Sequence, residues 1–237
     1  MTHHKRSSIV IGLLFILASA AAIAGLLLYA PLLKNPEYML KGPTSEFHIT
    51  LGALFELITA AAVAGTAITL FPYLRKRSES RAVAYLGFRL LEAFLIVLGL
   101  ICLLTVLTLR KQFEGGSPLD GSALQVSATE LIAIHDWTFM LGPNFMLGLN
   151  TLMYTSVLFQ TRLIPRPLAI LGIVGALSVF TAAILELFGV ITQMSTPGGI
   201  LAAPVAIFEI AFAVYLIVRG FNPTALADLN SYQSTRT

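Results

Sequence analysis

The sequence predicts an all-α polytopic integral membrane protein, a bundle of six transmembrane helices with both termini cytoplasmic. Three observations predict it. Of 237 residues, 57% are hydrophobic and only 11% charged, whereas about a quarter of a soluble domain is charged. Six apolar runs each approach the ~20 residues that cross a bilayer. Basic residues crowd into alternate connections between those runs. The mean hydropathy of +0.84 excludes an ordinary globular enzyme. The length leaves room for one bundle and no sizeable soluble domain beside it.

The first run, 9–29, follows His3-His4-Lys5-Arg6 and contains Ala18-Ser19-Ala20, which resembles a signal-peptide cleavage site. It is too long for a signal-peptide core and long enough to span, so it reads as the first span. A loop at 31–47, broken by Pro31, Pro36, Gly42 and Pro43, leads to the second span at 48–71. There Ala61 and Gly65 form a small-residue pair suited to close helix approach. Pro72 and Arg75-Lys76-Arg77 end it. The third span, 82–109, carries Arg89 and Glu92. The linker 110–127 is rich in glycine, and 128–134 reads as a short interfacial turn. The fourth span, 135–160, opens on His135-Asp136-Trp137 and contains Pro143, Asn144 and Asn150. A tight loop with Arg162, Pro165, Arg166 and Pro167 precedes the fifth span, 168–193. Pro197-Gly198-Gly199 turns the chain into the sixth, 201–218, and a polar cytoplasmic tail, 221–237, reads as frayed.

Orientation follows from counting. With the N-terminus inside, the inner segments hold ten basic residues: Lys5, Arg6, Arg75, Lys76, Arg77, Arg81, Arg162, Arg166, Arg219 and Arg236. The outer loops hold four, Lys34, Lys41, Arg110 and Lys111. This distribution obeys the positive-inside rule.

Acids inside the spans or at their mouths carry the functional signal: Glu56, Glu92, Asp136, Glu186 and Glu209. A carboxylate at a helix centre costs about 2.5–3.5 kcal/mol to insert, so each needs a partner, a proton or water. At about 1.5 Å per residue, Glu56, Asn144, Glu186 and Glu209 all fall roughly 10–13 Å below the outer surface. On the third span, Arg89 and Glu92 share a face with Arg81 and Tyr85. At about 100° per residue, Asp136, Asn150 and Tyr154 fall within roughly 40° of one another. The pocket expected from this layer is lined by Glu56, Glu92, His135, Asp136, Asn144, Glu186 and Glu209, with Arg89 as counter-charge. Plainer readings stand beside it. Arg89 with Glu92 is also a structural ion pair, Asp136 also a helix cap, His48 and His135 also solvated mouth residues, and Trp137 an interface anchor.

Two chemistries fit such a pocket. One is binding of a small ligand or cation, extending to transport. The other is an intramembrane metalloenzyme, with Glu56, His135, Glu186 and Glu209 as the candidate metal ligands. A divalent metal fits those residue types, although no HExxH spacing appears. Haem between His48 and His135 lacks a CxxCH motif. A third reading is a non-catalytic structural subunit of a homo-oligomer or membrane complex. Lone Cys102 lies in an apolar run and reads as filler. Phosphate loops, nucleophile elbows and nucleic-acid patches are missing. The lipid bilayer is the partner the composition implies, and no residue pattern decides whether the chain is an enzyme.

Gly52-Ala53-Leu54-Phe55-Glu56, the Arg89–Glu92 pair, His135-Asp136-Trp137, Leu168-Ala169-Ile170-Leu171-Gly172 and Phe208-Glu209 together resemble the domain of unknown function 4386 family, over about residues 8–220. The resemblance implies a six-helix protein of the bacterial plasma membrane. It implies no activity and carries over no catalytic residue.

Overall fold

A computed structural model describes residues 3–34, 46–115 and 121–234, and among these no strand occurs. Helix α1 is His3–Lys34, α2 Glu46–Arg75 and α3 Glu79–Glu114. A rod follows, made of α4 (Gly121–Phe139), a π-helical segment (Met140–Met146) and α5 (Leu147–Thr161). Helix α6 is Arg166–Leu187, α7 Thr196–Val218 and α8 Pro223–Ser234. Among the described residues five helices, α1, α2, α3, α6 and α7, are long and apolar enough to cross a membrane. Side chains such as Leu27, Ile68, Phe94 and Val174 project outward from them, as expected of helices whose outer face meets hydrocarbon rather than water.

The long helices close into a ring. Helix α1 packs on α2, α2 on α3, α3 on the rod, the rod on α6, α6 on α7, and α7 back on α1. Glycines permit close crossings. A Cβ at Gly25 would stand 3.2 Å from Gly52 O, and one at Gly52 would stand 3.2 Å from Gly25 O, so α1 and α2 touch backbone to backbone there.

Both described ends of the chain lie at one end of the ring, where Lys5 Nζ donates to Val218 O at 2.7 Å. We call this the termini-bearing end. An apolar cluster of aromatic and aliphatic residues, among them Phe15, Tyr85, Tyr154, Phe208 and Phe212, fills the ring toward it. A second cluster, including Tyr29, Ile49, Leu103 and Leu124, fills the far end. Arg89, Glu92 and Glu209 sit between the two, whereas Glu56 and His135 border the second cluster at Tyr29.

Several sequence expectations change, among them the end of the second span, whose helix runs through Pro72 to Arg75. Helix α1 continues past the expected loop start at Pro31, which it contains, and reaches Lys34. Of the expected linker 110–127, residues 110–114 continue α3 and 121–127 open α4, and the expected interfacial turn 128–134 is helix too, because nothing between Gly121 and Phe139 breaks it. The fifth span stops at Leu187, six residues short of the expected limit, in a Schellman cap. There Gly189 takes φ +69°, Gly189 N donates to Glu186 O and Val190 N to Leu185 O. The tail is helix α8, started by Asn222, whose Oδ1 accepts from Thr224 N at 3.1 Å. Its Ala225, Leu226 and Leu229 bury against the termini-bearing cluster. Residues 35–45 of the expected loop 31–47, and 116–120 of the linker 110–127, lie outside the described residues.

Candidate functional site

A half-open cavity of about 310 Å³ has Glu56, Arg89, Glu92 and Glu209 in its lining, with exposed Ile23 of α1 and Ala206 of α7 at its rim. Each charged residue reaches it from a helix of its own except Arg89 and Glu92, which share α3. Apolar residues complete the wall, with Ile23 from α1, Val63 from α2, Ile96 from α3, Phe139 from the rod and Ala206 from α7.

Arg89 organises one side. Its side chain is 1% exposed, and burying a guanidinium demands a full set of acceptors. Nη1 donates to Glu92 Oε2 at 3.0 Å and Oε1 at 3.3 Å, Nε donates to Thr66 Oγ1 at 3.1 Å, and Nη2 lies 3.5 Å from Glu209 Oε1. The guanidinium also stands 5.4 Å from the centre of the Phe15 ring. The i,i+3 spacing on α3 brings Glu92 onto the arginine. Glu92 Oε2 accepts a second bond from Asn150 Nδ2 at 2.6 Å. Glu209 Oε1 forms no hydrogen bond among the described residues, nor do the phenol oxygens of Tyr85 and Tyr154, whose rings lie 5.3 Å apart.

Glu56 faces the cavity from α2 and accepts from Tyr29 Oη at 2.7 Å. It also borders a small neighbouring cavity with Tyr29 and His135. His135 is buried edge-on against Tyr29, with ring centres 5.7 Å apart. Replacing Tyr29 with Phe removes the donor from a half-buried carboxylate and is expected to cost about 1–3 kcal/mol. Thermal unfolding of the purified variant in detergent checks this, and an unchanged melting temperature would refute the contact.

The remaining expected residues lie elsewhere. Asn144 donates to Glu186 Oε2 at 2.9 Å and Oε1 at 3.2 Å. Glu186 sits one residue from the end of α6, at the ring's far mouth rather than in the layer with Glu209. Asp136 is 53% exposed, with Oδ1 3.3 Å from the Nδ1 of neighbouring His135. Trp137 is exposed, and so is His48, which tilts against Phe47. Among the described residues no group of three His, Cys, Asp or Glu side chains gathers closely enough to hold a metal ion. Glu56 and His135 border one small cavity, but Glu209 turns to Arg89 and Glu186 to Asn144, so the four candidate metal ligands do not meet.

Tyr29, Thr66 and Asn150 belong to the site although they fall outside the expected lining. Asn150 carries the signal, an amide in an apolar span. Tyr29 looks like the end of a span, and Thr66, which also donates to Val63 O at 2.7 Å, looks like any membrane threonine satisfied by its own helix.

The fold and the site together define a helical, multi-pass membrane protein with charged residues buried among its apolar helices. The chain belongs to the family described as domain of unknown function (DUF4386), whose model matches residues 10–220. No curated protein and no solved structure gives a match to it.

Proposed function

We propose that the half-open cavity binds a small organic cation and that the chain carries this cation across the bacterial plasma membrane. The single observation behind this reading is the cavity's charge. Glu56, Glu92 and Glu209 converge on it against Arg89 alone among its lining. Carboxylates withdrawn this far from water require compensation, and Arg89 serves chiefly Glu92. A ligand ammonium held in the cavity supplies the rest, while the apolar wall takes its alkyl groups. About 310 Å³ is the lower range of small-molecule pockets and far more than a bare metal ion needs.

In this reading the rod 121–161 is the sixth crossing, since it occupies the ring position between α3 and α6. The termini-bearing end, with Arg75, Lys76, Arg77, Arg162 and Arg166, faces the cytoplasm by the positive-inside rule. The apolar clusters at either end act as the two gates that alternating access needs.

Calorimetric titration of the purified protein with tetramethylammonium, and with tert-butyl alcohol as an uncharged counterpart, tests the reading. Binding of the cation alone is expected. Glu56→Gln and Glu209→Gln each weaken it about tenfold or more without lowering the melting temperature, because Tyr29 and the Arg89–Glu92 pair keep their partners. Uptake of the radiolabelled cation into proteoliposomes then reads transport. Equal binding of the alcohol, or variants that bind as the wild type does, would refute the proposal.

A further inference from the structure

Away from the cavity, two turns meet at the termini-bearing end. Asn222 N donates to Leu163 O at 2.9 Å, and Asn222 Nδ2 donates to Arg162 O at 3.4 Å. They tie the α5–α6 turn to the α7–α8 turn around a concavity of about 580 Å³. Arg162, Arg166 and Arg219 line it with Ile164, Tyr215 and Phe221, and no carboxylate does.

The positive-inside rule accounts for arginines at this end of the bundle, but not for three of them around one hollow. Arg162 stands at φ 56°, ψ 28°, the left-handed cap position where glycine is the usual occupant. A long cationic side chain thus stands where the backbone disfavours it. The Arg166 guanidinium lies 5.3 Å from the centre of the Phe159 ring, which holds its plane. Among the described residues none of the three forms a salt bridge. Planar forks of this kind match a phosphate.

Helix faces decide which phosphate. Val218, Val214, Ile210 and Ile207 form an exposed apolar stripe down α7 from Arg219, and Ile170, Val174 and Leu177 form one on adjoining α6 from Arg166. Arg219 to Ile207 is about 18 Å at the helical rise, close to the ~15 Å half-thickness of a bilayer's hydrocarbon. A free phosphate has no use for such stripes, whereas acyl chains do.

We infer that this concavity binds the headgroup phosphate of an anionic phospholipid from the leaflet at the termini-bearing end, with acyl chains laid along α6 and α7. The full chain, purified in a neutral detergent, is titrated with phosphatidylglycerol, phosphatidylcholine and inorganic phosphate while the melting temperature is followed. Phosphatidylglycerol raises it, and the other two do not. Arg219→Gln weakens the apparent affinity about tenfold. Arg162→Gly does the same while leaving the unliganded protein at least as stable, because glycine suits the cap. Arg6→Gln with Arg75→Gln removes two charges from the same end outside the concavity, and this control binds as the wild type does. An equal response to inorganic phosphate, an equal loss in the control, or no response to phosphatidylglycerol would each overturn the inference.

Discussion

Replacing Arg89 with Met is expected to cost about 3–5 kcal/mol, enough to leave little folded protein. The magnitude follows from what the substitution leaves behind. Glu92, 4% exposed, loses two charge-assisted bonds and keeps Asn150. Glu209 loses the ion pair that faces its unbonded oxygen. Thr66 loses little, since its hydroxyl still bonds Val63 O. An uncompensated buried charge is the costly state, whereas a wholly neutral replacement is often tolerated. Arg89→Met combined with Glu92→Gln and Glu209→Gln should therefore melt well above the single variant, because the amide oxygen introduced by Glu92→Gln still accepts from Asn150. Thermal unfolding in detergent of the single and triple variants checks both halves. A single variant as stable as the wild type would mean the cluster is not a linked unit.

The spans are legible because hydrocarbon imposes one rule, length of apolar run, and the rule is local. The Arg89–Glu92 pair is legible for the same reason, since both residues sit on one helix at a fixed step. What fails requires knowledge from elsewhere in the chain. Angles reckoned at a uniform helical step do not hold along the rod, because π-helical turns at Met140–Met146 add about one residue, roughly 100°, to everything beyond them. Pro143, inside that segment, hints at a break without giving its form. Glu186 falls in the layer with Glu209 only if α6 runs to residue 193, and the glycine cap that ends the helix sits inside an apolar run. Tyr29 becomes a site residue through α2, which no count along α1 foresees. The polarity of α8 hides three apolar residues spaced to cover the end of the ring.

Adding one methyl group at Gly172 or Gly175 is expected to open the ring between the rod, α6 and α7. A Cβ at Gly175 would stand 2.7 Å from Val205 Cα and 2.8 Å from Val205 N. These are backbone atoms of α7, which cannot rotate away, so the helices themselves must part. At Gly172 the added carbon would meet Thr155 Cγ2 at 2.5 Å and Phe208 Cζ at 2.7 Å, and both residues are fully buried with nowhere to turn. Overpacking of this kind costs about 1–3 kcal/mol, occasionally more, and the backbone contact places Gly175→Ala at the upper end. Gly87 supplies the contrast. It is a helical glycine on α3 with nothing within 4 Å of its would-be Cβ, so Gly87→Ala should stabilise the helix by about 1 kcal/mol. The consequence reaches the cavity, because Phe208 precedes Glu209 on α7. Pushing Phe208 off Gly172 shifts the carboxylate that faces Arg89, and Gly172→Ala should weaken tetramethylammonium binding as well as lower the melting temperature. Melting curves of the three alanine variants, with titration of Gly172→Ala, decide this. If Gly175→Ala and Gly87→Ala melt alike, α6 and α7 do not approach as closely as described.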